Sequence, residues 1–201
     1  MTAEDPLQWP DIQPQLNRLS QAELIDLLRE LFEYSGENRM LLRLRMPATS
    51  GGDALAAYQQ QVREVTFPAN LHDFPNISRA RQLIHSYRQA TGDLAGTIEL
   101  LLTCLEAGTA GSNELGGIDA AFYADLETVL DDLVTLFEAP AVQSSYLQHA
   151  QRLQNLARAS SNIGWGYGAY VPDQIETLLS QMGIEPESDA DQVPLINHSI
   201  P

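Results

Sequence analysis

The sequence predicts an all-α fold, either an irregular multi-helix bundle or a short solenoid of helical hairpins, with about seven to eight helices. Apolar residues recur at helical spacing along most of the chain, and helix start and stop signals repeat with little sign of strands. The 201 residues, 44% of them apolar, suit one compact domain with a real core. No convincing self-similarity occurs at a period of about thirty to fifty residues, which favours the irregular bundle.

The first predicted helices lie before residue 67. Ser20 and Glu23 form a capping box in front of a helix whose apolar positions are Leu24, Leu27, Leu28 and Leu31. Helices are also predicted over 37–46, ended by Pro47, and over 53–66. The stretch FPANLHDFPNI, residues 67–77, holds two prolines and two asparagines and is therefore predicted to be a loop.

The middle of the chain predicts two helices separated by a glycine. Ser78 is the expected N-cap of a helix through residue 90, with an apolar stripe formed by Ala80, Leu83, Ile84 and Tyr87. Gly92 ends this helix, and Asp93 caps the next, which is expected to end near Ala107. The second helix is the most apolar in the chain and is predicted to be the central element. The segment GTAGSNELGGI that follows is interpreted as a glycine-rich loop.

Three further helices complete the prediction. Asp119 caps a helix to about residue 138, whose inner face is formed by Phe122, Leu126, Val129, Leu133, Leu136 and Phe137. Pro140 begins the next, to about residue 160, whose inward positions are Leu147, Leu153, Leu156 and Ala157. The last covers about 172–182. The predicted parts are an N-terminal extension (1–17), a helical domain (18–183) and an acidic C-terminal tail (184–201).

Charge is distributed very unevenly along the chain. All eleven basic residues are arginine, and the net charge is −16. Residues 1–17 carry −3, residues 18–88 carry nine arginines against eight acids, and residues 89–201 carry two arginines against sixteen acids. Such a chain is not expected to bind nucleic acid or an anionic membrane.

No motif of a known catalytic chemistry is present. The single cysteine, Cys104, is expected to be buried and inert within a helix, and it leaves no partner for an internal disulfide. The four histidines have no metal-ligand spacing, and the absence of lysine excludes a P-loop or Schiff base. We therefore predict no catalytic residue, no metal and no cofactor. The acidic start and the short apolar runs favour a soluble cytoplasmic protein.

Two groups of charged side chains are candidate binding residues. The helix over 119–138 carries Asp125, Glu127, Asp131 and Asp132, which are interpreted either as a solvated face or as a face that meets arginines inside or outside the protein. The preceding part of the chain offers Arg81, His85 and Arg88 at i, i+4 and i+7. This stripe could meet the acidic helix, but because it lies away from the apolar positions it is expected to face solvent. An acidic and a basic surface on different sides favour a protein partner or a homodimer.

The glycine-rich segment NIGWGYG is the third candidate site. Three glycines alternate with Trp165 and Tyr167, so the backbone is free while two large rings must be placed. One interpretation is a tight turn between helices, with Trp165 packed on the core. The other is an aromatic notch that receives a peptide or a small ligand.

Four segments within roughly residues 18–170 form a recognisable order: LSQAELIDLLRELFEYSGENRMLLRLRM, ISRARQLIHSYRQATGDLAGTIELLLTCLEAG, GGIDAAFYADLETVLDDLV and IGWGYG. Their more specific parts are the TGD turn, the Phe122-Tyr123 pair and the late IGWG. Together these segments resemble a family of small bacterial helical proteins known only as a domain of unknown function. The resemblance implies a bacterial, all-α, cytoplasmic protein and implies no activity.

Three functions remain open from the sequence. The first is a non-enzymatic adaptor or regulatory protein that binds partners through its acidic face and through a tail carrying Val193, Leu195, Ile196 and Ile200. The second is an enzyme with a carboxylate and histidine, or divalent-metal, site assembled from distant loops that hold His72, Asp73 and Glu114. The third is an acidic mimic that blocks a basic protein surface.

Overall fold

The computed structural model describes residues 8–45, 51–69 and 74–184. Throughout these residues the chain forms helices, turns and loops without a strand, which confirms the all-α prediction. The chain divides into two compact units, residues 1–54 and 55–201. The expected end of a helix at Pro47 lies outside the described residues, as do the loop residues His72 and Asp73 and the tail from residue 185 onward.

The first unit contains helices α1 (Trp9–Leu16), α2 (Gln21–Tyr34) and α3 (Gly36–Arg45). The capping box is confirmed: the Ser20 backbone N–H donates to Glu23 Oε2 at 2.7 Å, and the Glu23 N–H donates to Ser20 Oγ at 3.3 Å. Helix α1 lies in the segment predicted as an N-terminal extension. The Asn38 side chain donates to the Leu31 carbonyl and joins α3 to α2.

The second unit contains the longer helices. Helix α4 (Gly51–Thr66) begins at the end of the first unit and continues into the second. The others are α5 (Ile77–Thr91), α6 (Leu94–Leu115), α7 (Ala120–Phe137), a 3₁₀ turn (Pro140–Ser145), α8 (Tyr146–Ser160) and α9 (Tyr167–Gln181). Among its described residues, the predicted helical domain therefore has eight α-helices, α2 to α9.

Several of the predicted helix boundaries are confirmed by their caps. Asp93 and Asp119 accept hydrogen bonds from the N–H groups of Gly96 and Phe122, and Gly92 takes the left-handed conformation at the end of α5. The predicted cap at Ser78 is wrong. The Asn76 side chain accepts from the Arg79 N–H instead, because α5 begins one residue before Ser78.

Helix α6 is the centre of the second unit and contacts α5, α7 and α8. Its expected end near Ala107 is wrong, since the helix continues to Leu115 through the segment interpreted as a loop. Gly108 and Gly111 are sites of close approach within the helix: a Cβ at Gly108 would overlap Leu126, and one at Gly111 would overlap the Phe67 ring. Glycine here permits tight packing between elements and does not mark a turn.

The inner face predicted for α7 is buried along its whole length, and so is the apolar stripe of α5. The assignment of Leu147 to the inner face of α8 is wrong, because its side chain is 77% exposed. Leu147 and Leu153 are six residues apart, so they point in directions that differ by about 120° around a helix. Leu153 and Leu156 are buried as predicted.

Helix α9 begins about five residues earlier than predicted, so Pro172 lies inside it. Gly168, at its start, is packed against the carbonyl oxygens of Ile163 and Ser160, where no side chain fits. The helix contacts α8 and α7.

Candidate functional site

An open groove lies between α5 and α7, with α6 below it. Its volume is about 590 Å³. Buried Ile84, Leu101 and Leu136 provide apolar surface. The remaining lining residues are Ser78, Arg81, Gln82, His85, Arg88, Thr97, Asp132, Thr135 and Ala139. The groove therefore combines apolar surface with polar and basic side chains.

An ion pair joins the two helices beside the groove. Arg81 on α5 donates from Nε and Nη2 to Oδ2 of Asp132 on α7, at 3.1 and 2.9 Å. The two side chains are 39% and 46% exposed, so water screens the pair in part. Arg81 of the predicted basic stripe and Asp132 of the predicted acidic set thus form an ion pair within the protein.

The other two residues of the basic stripe, His85 and Arg88, are exposed and line the same groove. Within the part of the chain that the structure describes, neither has an ion pair or a side-chain hydrogen bond. The expectation that the whole stripe faces solvent is wrong for Arg81. The stripe borders the apolar face at Ile84, since Arg81 and Ile84 are only about 60° apart around the helix.

Three of the four predicted acids of α7 contact one of two neighbouring helices. Two of them contact α5: Asp132 binds Arg81, and Asp125 Oδ2 lies 3.5 Å from the hydroxyl of Ser78. On the side of α9, Asp131 Oδ1 accepts a 2.5 Å hydrogen bond from the hydroxyl of Tyr170, and this bond raises the tyrosine pKa to about 12. Glu127 makes no hydrogen bond or ion pair among the described residues. The acids do not form one outward face.

The two aromatic residues of the NIGWGYG segment lie in different environments. Trp165 has a left-handed backbone (φ 60°) and is 67% exposed, so the expectation that it packs on the core is wrong. Tyr167 is fully buried, with its hydroxyl 2.9 Å from that of Thr109 and its ring centroid 5.3 Å from that of Tyr123. Burial raises the pKa of Tyr167. The notch interpretation therefore gains no support from the pair.

A second cluster of charged side chains lies between α6 and α8 and was not predicted from the sequence. Arg152 donates to both carboxylate oxygens of Glu106, at 2.8 and 2.9 Å, and to Glu99 Oε2 at 2.7 Å. These bonds, chiefly those with Glu106, raise the pKa of Arg152. A signal was available, because Arg152 is one of only two arginines after residue 88 and the two glutamates lie seven residues apart on one helix. Its guanidinium is already occupied by two carboxylates.

His149 belongs to the same cluster and is almost fully buried. Its Nδ1 lies 3.6 Å from Glu99 Oε1, and its Nε2 lies 3.1 Å from the Gln148 amide nitrogen. Burial lowers the pKa of His149, and this effect outweighs the attraction of the Glu99 carboxylate. The imidazole is therefore a neutral core group at pH 7.

Two of the three residues proposed for an enzymatic site, His72 and Asp73, lie outside the part of the chain that the structure describes. Within the described part, no group of three or more His, Cys, Asp or Glu side chains that could hold a metal ion occurs. Glu114 lies on α6 and is exposed, not in a loop. Cys104 is fully buried, as predicted, and burial raises its pKa to about 12. The Thr66 hydroxyl donates to Cys104 Sγ at 3.3 Å.

Comparison with protein-family models, with curated proteins and with solved structures finds no match for the chain. Among the described helices, none is both long and apolar enough to cross a membrane. The fold and the groove thus define an acidic, all-α protein with a basic and apolar cleft on its larger unit.

Proposed function

We propose that the chain is a non-enzymatic protein-interaction protein, with the α5–α7 groove as its docking site. The partner segment would carry carboxylates beside apolar side chains. The observation that carries this proposal is the combination of an apolar surface at Ile84, Leu101 and Leu136 with the exposed side chains of His85 and Arg88.

The chemistry of the groove favours a carboxylate-bearing segment. A guanidinium matches a carboxylate in geometry and binds it through two parallel hydrogen bonds. Arg88 is available for such a bond, whereas Arg81 is already bound to Asp132. Because Ile84, Leu101 and Leu136 are themselves almost fully buried, an apolar side chain of the partner would gain free energy chiefly by burying its own surface against them, at about 25 cal/mol per Å² of apolar area buried.

The net charge of −16 restricts where on this protein an acidic partner can bind. Much of the chain repels an acidic partner, so only a locally basic surface can receive one. Because exposed charges are screened over about 8–10 Å at ordinary ionic strength, association should weaken as salt is added.

The acids of α7 would serve this function from within the protein. Asp132 fixes the guanidinium of Arg81 at the groove, and Asp131 fixes α9 through Tyr170. This is a different role from the outward acidic face that we first expected. The tail with Val193, Leu195 and Ile196 is a second docking element on sequence grounds alone.

The test is a selection from a random peptide library displayed on phage against the purified full-length protein. We expect enriched peptides in which Asp or Glu stands next to Leu, Ile or Phe. The His85→Glu/Arg88→Glu double variant should lose their binding by at least about tenfold, which corresponds to about 1.4 kcal/mol. The control, Arg158→Glu on α8, changes an exposed arginine away from the groove and should bind as the parent does.

A photocrosslinker at Thr135, an exposed groove residue on α7, locates the bound peptide directly. Crosslinking should occur at Thr135 and not at Ser161, an exposed residue after α8. Enriched peptides without acids, or equal binding by the groove variant and the parent, would contradict the proposal.

A further inference from the structure

Helices α1 and α2 of the first unit bury none of the residues that the structure describes in them. The unit comprises residues 1–54, and a unit of about that size buries little apolar surface by itself, so disulfides, a metal or oligomerisation commonly add stability. The only cysteine is Cys104 in the other unit, and the described residues contain no metal-binding cluster. A second copy of the chain can supply the apolar contact that these helices lack.

Helix α2 has an unusually wide apolar face. At 100° per residue, its apolar side chains lie within an arc of about 160°, compared with about 100° for an ordinary surface helix. They are Leu24, Ile25, Leu27, Leu28, Leu31 and Phe32. Helix α3 contacts α2, but Ile25, Leu28 and Phe32 remain 49%, 45% and 38% exposed. Their i, i+3, i+7 spacing is that of a coiled-coil seam.

Charge indicates what covers this face. Residues 8–45 carry five arginines against six acids, a net charge of −1 within a chain of −16. Two copies repel each other least where they meet through this nearly neutral segment. An anionic membrane is a poor alternative, because the polar side of α2 carries four acids and one arginine.

The charges of α2 and α3 are also self-complementary. The sequence of α2 has a net charge of −3, and that of α3 has a net charge of +2. Around a two-fold axis, α2 of each copy can lie beside α3 of the other, so that opposite charges meet twice.

We infer that the apolar face of α2 is a homodimer interface. Ile25, Leu28 and Phe32 of one copy pack against the same residues of the second copy. This interface is separate from the α5–α7 groove and does not depend on the function proposed for it.

Sedimentation velocity of the full chain over a range of micromolar concentrations tests the inference. We expect a dimer that persists from 0.05 to 0.5 M NaCl, because the contact is chiefly apolar, while salt screens both the net repulsion between the copies and the attraction between α2 and α3. Leu28→Glu changes both copies and should raise the dimer dissociation constant at least about 100-fold. The matched control is Leu147→Glu on α8, an exposed leucine outside the face, which should remain a dimer.

A cysteine variant covers the case in which Leu28→Glu does not fold. Leu28→Cys should form a disulfide-linked dimer on oxidation, whereas Ser161→Cys should not, and the buried Cys104 does not compete.

A monomer at every concentration, or equal dimerisation by the parent and a folded Leu28→Glu variant, would overturn the inference. Equal crosslinking by the two cysteine variants would also overturn it, as would a monomer that binds vesicles of phosphatidylcholine and phosphatidylglycerol through Leu28. The groove variant His85→Glu/Arg88→Glu should still dimerise, which separates this test from that of the groove.

Discussion

Arg81 and Asp132, fifty-one positions apart in the sequence, form an ion pair in which Nε and Nη2 of the guanidinium share one carboxylate oxygen. The pair connects the arginine-bearing helix α5 to the acidic helix α7. The two opposite charge groups of the sequence therefore lie side by side, and they do not form separate surfaces on different sides of the protein.

We expect this ion pair to contribute modestly to stability. Both side chains are exposed by more than a third, so a double-mutant cycle with Arg81→Gln and Asp132→Asn should give a coupling free energy of about 0.5–1 kcal/mol. The coupling should fall between 0.05 and 0.5 M NaCl, since salt screens partly exposed charges. Urea unfolding at the two salt concentrations measures it. A coupling above about 2 kcal/mol that does not respond to salt would show that the pair is more buried than the structure indicates.

The sequence was sufficient for the helices whose ends are determined locally. The caps at Ser20, Asp93 and Asp119 depend on residues three positions apart, so the pattern predicts them correctly. Helix α6 ends at the left-handed Gly116, whereas Gly108 and Gly111 lie within the helix, where Leu126 and Phe67 approach them from other parts of the chain. A local pattern cannot distinguish such a glycine from a turn glycine.

Some side chains of the candidate site could be predicted from the sequence, but their arrangement in space could not. The sequence identified Arg81, His85 and Arg88 as a set and left contact with the acidic helix open, but it favoured a stripe that faces solvent, whereas α7 lies beside these residues. It also missed Arg152 with Glu99 and Glu106, because that cluster forms only when α6 and α8 pack together. Side-chain pairs between helices follow from the tertiary arrangement, which periodicity alone does not specify.

Arg152 should matter more for stability than Arg81. It is less exposed, and it makes three charge-assisted hydrogen bonds to two carboxylates. Arg152→Gln leaves Glu99 and Glu106 half-buried without their cation, so we expect a loss of about 2–3 kcal/mol in the free energy of unfolding. Urea denaturation followed by circular dichroism measures it. The control, Arg158→Gln on the same helix, should cost less than about 1 kcal/mol, because Arg158 is exposed and bonds Asn155 one turn away. Equal losses for both variants would contradict this ranking.

His149 should make stability depend on pH. Burial lowers its pKa in the folded protein, while the unfolded chain has a histidine pKa of about 6.5. Below pH 6.5 the unfolded state binds a proton that the folded state does not, so stability is full above that pH and falls as the pH decreases toward the folded pKa. The loss can reach about 1.4 kcal/mol per pH unit.

The His149→Gln variant tests this dependence through urea midpoints measured between pH 5 and 8. We expect the variant to be less stable than the parent at pH 8 but to lose less stability between pH 6.5 and 5. The exposed His85 provides the control, since His85→Gln should retain the parent slope. A parent whose midpoint is constant across this range would contradict the assignment of a neutral, buried imidazole.

Gly108 should resist substitution although glycine is a poor residue for the middle of a helix. Alanine at this position would gain about 0.5–1 kcal/mol from helix propensity. Its Cβ would, however, lie 2.8 Å from both terminal methyl groups of Leu126, which is fully buried on α7. Overpacking of this kind costs about 1–3 kcal/mol, so the net effect of Gly108→Ala should be a loss of about 1–2 kcal/mol in the free energy of unfolding.

Gly164→Ala is the matched control, because a Cβ at Gly164 meets nothing within 4 Å. The free energy of unfolding of this variant should stay within about 0.5 kcal/mol of that of the parent. The pair Gly108→Ala/Leu126→Ala should show a favourable coupling, since the smaller side chain on α7 gives the added methyl group its space.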